Sequence, residues 1–192
     1  LPKHPSEGWY ASLDTTSTLP LQKLRKFTDV LRAHRIEGLA DVRSLPGSRR
    51  HPQFNRDVLA GSLADAAIEY VWLQSLGGRR RAQADSHNTA WRNKSFQAYA
   101  DYMETDEFCA GIAELLQLAR ARRTAVMCAE AVWWRCHRAL ISDDLKAQGV
   151  KVMHIFDADK TEEHPYTPAA CVRDGRVSYE AQTRPDDGAL FS

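Results

Sequence analysis

The sequence predicts an α/β protein: a single three-layer domain whose mainly parallel sheet of about five strands is flanked by helices, followed by a C-terminal extension with a hairpin. Three observations predict it. Short apolar, β-prone runs bounded by turn residues alternate with segments in which apolar residues recur every three or four positions. Strands that alternate with helices pair in parallel through right-handed crossovers, which places helices over both faces of the sheet. A chain of 192 residues is long enough for one good core and short for two. We expect the α/β domain over residues 1–156 and the extension over 157–192.

Trp9 to Leu13, bounded by Gly8 and Asp14, reads as the first strand. Thr18 precedes a helical pattern carried by Leu21, Leu24, Phe27, Val30 and Leu31 up to His34. Gly38 to Val42 is a second buried strand, and Ser44-Leu45-Pro46-Gly47-Ser48 is turn chemistry. Helical spacing returns from Asn55 to Ala67 through Val58, Leu59 and Leu63, and Glu69 to Leu73 reads as the third strand. From Gln74 to Lys94 no period holds, and such a long irregular segment inside a compact domain is usually functional or disordered. Phe96–Met103 and Glu107–Ala121 are helical with a break near Thr105. Thr124 to Cys128 is the fourth strand, Cys136 to Gln148 a helix closed by Gly149, and Val150 to Phe156 the fifth strand. Arg173-Asp174-Gly175-Arg176, between two short β-prone runs, reads as the turn of a hairpin.

Composition narrows the function classes. Hydrophobic residues make up 43% and charged residues 27%, ordinary for a globular protein. No apolar run approaches bilayer length and no signal-like segment opens the chain, so we expect a cytoplasmic protein with no membrane partner. Four cysteines without a CxxC pair argue against a disulfide framework, a zinc ribbon and a thioredoxin motif. A net charge of +1 argues against a strongly basic nucleic-acid binder. The charge is unevenly distributed: residues 38–95 hold nine basic against five acidic residues, whereas residues 157–192 hold eight acidic against four basic. The basic excess therefore sits in the central loops, where Arg suits recognition of phosphate or carboxylate.

The densest chemistry lies between Val126 and Arg138, which holds two thiols, a carboxylate, an imidazole and two guanidiniums. A strand that ends in Cys128 and leads through a loop to a helix sets that sulfur near backbone N–H donors and a positive helix end, which lowers a thiol pKa and attracts anions. Cys128 is accordingly the candidate thiolate; the alternative is a small buried hydrophobe. Glu130 and His137 are close enough to act as a proton-transfer pair, or else Glu130 only bridges Arg43 or Arg138. Cys136 and His137 are expected in the first turn of the following helix. Arg43, Arg135 and Arg138 are candidate anion-binding groups, joined by Ser48 in the turn and by Trp91-Arg92, whose aromatic-cation pairing suits stacked bases as does Trp133-Trp134. Arg49-Arg50 and Arg79-Arg80-Arg81 read as solvated loop charges. Cys128, Glu130, Cys136 and His137 are a legitimate metal-ligand set, but without a second cluster at the usual spacing we expect no metal and no cofactor.

Several of these blocks, Asp41-Val42-Arg43-Ser44-Leu45-Pro46-Gly47-Ser48, Phe54-Asn55, Tyr99-Ala100-Asp101-Tyr102-Met103, and Cys128-Ala129-Glu130 with Cys136-His137-Arg138, resemble the uncharacterised Domain of Unknown Function 488 family from about Trp9 to Phe156. The resemblance implies one α/β domain and brings no established reaction with it. That family's usual opening turn, Gly-His-Ser or Gly-His-Thr, is replaced here by Leu13-Asp14-Thr15-Thr16-Ser17, so any chemistry that needs the histidine is altered in this member. The residues together lead us to expect an enzyme acting on an anionic, phosphate- or nucleotide-like substrate. A nucleic-acid-binding module without catalysis, and a structural or catalytically altered family member, are the alternatives.

Overall fold

The computed structural model describes residues 8–11 and 20–181. The expected turn from Leu13 to Ser17, with Asp14, and the Thr18 start of the first helix lie outside them. Among the described residues five α-helices and eight strands follow one another: β1 (Gly8–Ala11), α1 (Pro20–Ala33), β2 (Gly38–Asp41), α2 (Arg56–Ala64), β3 (Glu69–Trp72), α3 (Lys94–Met103), α4 (Asp106–Ala121), β4 (Thr124–Met127), α5 (Arg138–Ala147), β5 (Val152–Ile155), β6 (Thr161–Glu163), β7 (Cys171–Arg173) and β8 (Arg176–Ser178). The main sheet runs in the order β3-β2-β4-β1-β5-β6. Its first five members are parallel, and β6 joins antiparallel to β5.

The pleat of the sheet sorts its side chains onto two cores. Leu39, Ala125, Met127 and Ile155 face Leu24, Phe27 and Leu31 of α1 and Leu59 and Leu63 of α2. Ala40, Val42, Val126, Cys128 and Val152 face the opposite layer, built by Tyr99 of α3, Phe108, Ile112 and Leu115 of α4, and Leu140 and Ile141 of α5. Both layers are covered because every parallel connection crosses over the sheet. All four residues of β2 and of β4 are buried, which is why these strands read as apolar runs and not as an alternation.

Local capping sets the helix ends. Thr105 starts α4, its Oγ1 accepting from the Phe108 N–H at 3.3 Å, with Asp106 and Glu107 in the positive first turn. Asn93 caps α3 in the same way, its Oδ1 accepting from the Ser95 N–H at 2.9 Å. Helix α5 begins only at Arg138, which corrects the expectation for Cys136 and His137. A 3-10 turn at Trp133–Arg135 ends at Cys136, whose extended backbone (φ −126°, ψ 146°) leaves His137 as the residue that precedes the helix.

Residues 157–181 are built into the fold. Besides supplying β6, they bury Tyr179 in the core beneath α5 and direct polar groups onto one carboxylate, Asp143. Asp143 accepts from the Thr167 N–H (2.9 Å), Thr167 Oγ1 (2.6 Å) and Tyr179 hydroxyl (2.9 Å), and its Oδ1 lies 3.0 Å from His164 Nε2. His164 Nδ1 in turn lies 2.8 Å from His154 Nε2 on β5. The expected hairpin is present as β7 and β8, and Asp174 (φ 50°) and Gly175 (φ 73°) supply the two left-handed residues of its tight turn.

His154 carries a pH dependence. Burial first, then the charges of His164 and Arg138, lower its pKa from 6.5 to about 3. Above pH 6.5 the imidazole is neutral in folded and unfolded chains alike, and its contribution to stability is intact. Between pH 6.5 and about 3 only the unfolded chain takes the proton, so stability is lost on acidification at up to about 1.4 kcal/mol per pH unit. Denaturant unfolding at pH 7 and pH 5 should therefore show a smaller loss for His154→Gln than for the native chain; equal losses would contradict this origin.

Candidate active site

The parallel strands end on one rim, and the loops that follow them enclose a cavity of about 290 Å³. Arg43, Ser44 and Leu45 follow β2; Gly78 and Arg79 come from the long loop after β3; Ser95 and Phe96 open α3; Cys128, Ala129 and Glu130 follow β4; and Arg135, Cys136 and His137 lead into α5. In open α/β sheets this carboxyl-end rim is where ligands bind, because several loops converge there and helix N-termini point into it.

The loop between β4 and α5 brings its two sulfurs together. His137 Nδ1 lies 3.6 Å from Cys136 Sγ and 4.0 Å from Cys128 Sγ, and all three atoms fall within 4.8 Å of one another. Arg138, fully buried, fastens both limbs of the loop: its Nε donates to Cys136 Sγ at 3.4 Å and its terminal nitrogen to the Glu130 carbonyl at 2.5 Å. The two thiols shift each other in opposite directions. Hydrogen bonding to Cys136, and then burial, push the Cys128 thiol up, while the bond from Cys128 together with His137 and Arg138 pulls Cys136 down against its own burial. Cys128, the expected thiolate, is thus pushed toward the thiol and Cys136 toward the thiolate.

The irregular loop after β3 has no period because side chains of α3 hold it. Tyr99 hydroxyl donates to the Leu76 carbonyl at 2.9 Å, and Tyr102 hydroxyl to the Ser75 carbonyl at 2.5 Å. Asp101 Oδ1 accepts from Ser86 Oγ at 2.5 Å and Asn88 Nδ2 at 2.9 Å. Arg80 donates to the Ser75 carbonyl and lies 3.6 Å over the Tyr102 ring, so it is a packed strut and not a solvated charge. Thus pinned, the loop lays Gly78 directly against the His137 ring, whose other neighbour is Tyr99 at 4.9 Å between centroids.

The remaining expected residues separate into those that line the cavity and those engaged elsewhere. Arg135 and Glu130 line it, as does Arg79, which is exposed to solvent as expected. Arg43 borders the cavity, yet its guanidinium grips Asp41, with Nε at 2.9 and 3.0 Å from the two carboxylate oxygens, and donates to the Phe54 carbonyl at 2.9 Å. Tyr70 completes that cluster, its hydroxyl 2.6 Å from Asp41 Oδ2. Burial alone would lower the Arg43 pKa, but Asp41 and then Tyr70 carry it upward, so Arg43 is a fixed internal cation. Ser48 is not among the lining residues; its Oγ accepts from the His51 N–H at 3.0 Å and its N–H donates to Asn55 Oδ1 at 2.6 Å. Trp91 and Arg92 line a different hollow, beside Pro168 and Glu180, and Trp91 stacks on Phe96 at 4.7 Å. Trp133 lies flat on His154 at 4.3 Å, whereas Trp134 is 53% exposed.

Gly78 is a site residue that only close approach reveals. A Cβ there would sit 2.8 Å from both Cγ and Cε1 of His137, inside any tolerable contact. Gly78→Ala should therefore displace the imidazole from the sulfurs and cost about 1–3 kcal/mol of stability by overpacking. Thermal unfolding together with the His137 ring resonances would check this, and an unshifted ring in an equally stable variant would contradict it.

A family model described as a domain of unknown function, DUF488, matches residues 23–145. No curated protein and no solved structure matches the chain. The matched stretch runs from α1 into α5 and includes every residue that lines the cavity. As it covers more than half of the sequence, the chain belongs to the DUF488 family.

Proposed function

We propose that the chain is an enzyme acting on an anionic, phosphate- or nucleotide-like substrate held in the cavity at the strand ends. The observation that carries this reading is one cavity lined by two thiols, an imidazole, a carboxylate and Arg135 from the loop between β4 and α5, and by Arg43 and Arg79 from two other loops. Arg135 and Arg79 are the groups we assign to the anion, with Ser44 and Ser95 and the N-terminal end of α3 as further donors. Cys136 is the sulfur we assign to carry charge, since Arg138 Nε and His137 Nδ1 both approach it, and Cys128 acts as its partner. His137 and Glu130 are assigned to proton transfer.

A nucleic-acid-binding role without catalysis has one observation in its favour, the exposed Trp134 beside Arg135, which suits a stacked base. It requires affinity that falls with added salt and is indifferent to the cysteines.

The two readings part on thiol protection. Inorganic phosphate or a nucleoside monophosphate, added to metal-free protein, should slow iodoacetamide labelling of Cys128 and Cys136 while leaving the exposed Cys109 unaffected. Arg135→Ala and Arg79→Ala should each weaken that protection by about 10- to 100-fold, the worth of a charge-assisted hydrogen bond. Labelling that ignores phosphate-bearing ligands, or protection that survives both substitutions, would overturn the proposal.

A further inference from the structure

We infer that Cys128, Cys136 and His137 form a three-point seat for a thiophilic divalent metal ion, with zinc the best fit. Three electron-pair donors face one another across 3.6 to 4.8 Å, and hydrogen bonding serves such a group poorly, because thiols are weak donors and the separations are long. The same separations suit coordination. Zinc–sulfur bonds of about 2.3 Å and zinc–nitrogen bonds of about 2.0–2.1 Å give tetrahedral edges of roughly 3.5–3.8 Å, close to the sulfur–nitrogen distances here. Both sulfurs are already buried and positioned, with exposures of 2% for Cys136 and 7% for Cys128, so small adjustments would close the site.

The surroundings fit this use. Arg138 Nε, 3.4 Å from Cys136 Sγ, supplies the outer hydrogen bond that steadies a metal-bound thiolate. Gly78 and Tyr99 fix the plane of the imidazole. His137 Nε2 is buried with no hydrogen-bond partner among the described residues, so the contacts of this ring's nitrogens converge on the sulfur side, at Nδ1. Two cysteines and one histidine leave one position of a tetrahedron for water or a substrate atom, the arrangement of a catalytic or exchangeable ion and not of a closed structural one. The sequence expectation of no metal looked for a second ligand cluster; here three ligands within one loop suffice. The inference goes beyond the thiol reading, since ligation occupies both sulfurs and the metal-loaded and thiol-reactive states exclude each other.

The test uses the full chain with Cys109 and Cys171 replaced by Ser, stripped with a chelator and titrated with cobalt(II). Saturation should come at one equivalent, with a sulfur-to-metal charge-transfer band, and zinc should bleach the spectrum and block iodoacetamide labelling of Cys128 and Cys136. Cys128→Ser, Cys136→Ser and His137→Asn should each weaken binding by more than the roughly 10–100-fold typical of an outer-shell partner. Absence of the band, or a band unchanged in Cys128→Ser, would overturn the inference, and the zinc block of labelling in the unsubstituted chain provides a readout that needs no variant to fold. Phosphate-protected thiols without a cobalt band would leave the anionic-substrate reading standing alone, whereas a band without phosphate protection would leave only the metal.

Discussion

A buried guanidinium organises the chemically dense loop of this protein. Arg138 lies at the first position of α5 with no exposure to solvent, and from there it reaches back to the Cys136 sulfur and across to the Glu130 carbonyl. Removing such a cation from water is expensive, and the cost is offset only when charged or strongly polar acceptors meet it at close range. The loop between β4 and α5 therefore has little freedom: it must fold so that a sulfur and a carbonyl face Arg138, and in doing so it sets Cys128 and Cys136 beside the same imidazole. Geometry and electrostatics are one constraint here, because the group that shapes the loop also sets its cationic Nε against the Cys136 sulfur.

The second limb of the site is imposed from a distance. Tyr99, Asp101 and Tyr102 belong to α3, yet their polar atoms terminate on the loop after β3, so a helix on one layer fixes backbone that sequence periodicity cannot describe. That loop then presses Gly78 on His137, and the ring is held between glycine and tyrosine. A short motif on a helix, a glycine in a loop and a histidine before another helix are thus one mechanical unit.

Much of this was legible in the sequence. The strands at Gly38 and Thr124 announced themselves as apolar runs because both faces of each are covered, and Thr105 and Asp174-Gly175 marked a helix start and a turn because their backbone chemistry is local. The convergence of Cys128, Cys136 and His137 was legible for the same reason, since all lie within one loop. The pairing of individual polar and aromatic side chains was not. An arginine at a strand end reads alike whether it meets a ligand or a carboxylate two residues back, and Arg43 meets Asp41 and Tyr70. Ser48 and Trp91 look available in the sequence because Asn55, His51 and Phe96, which engage them, come from other turns or a later helix. The docking of Tyr179 and Thr167 on Asp143 likewise rests on partners more than twenty residues apart, and it brings Tyr179 into the core.

The convergence of the two sulfurs is the claim on which the reading of the site stands, and a trivalent organic arsenical measures it directly, because one arsenic atom bonds two thiolates only when they are neighbours. With phenylarsine oxide, the folded chain should capture one equivalent, after which peptide mapping should find Cys128 and Cys136 protected from alkylation and Cys109 still reactive. Independent alkylation of Cys128 and Cys136 in the presence of the arsenical would contradict the account.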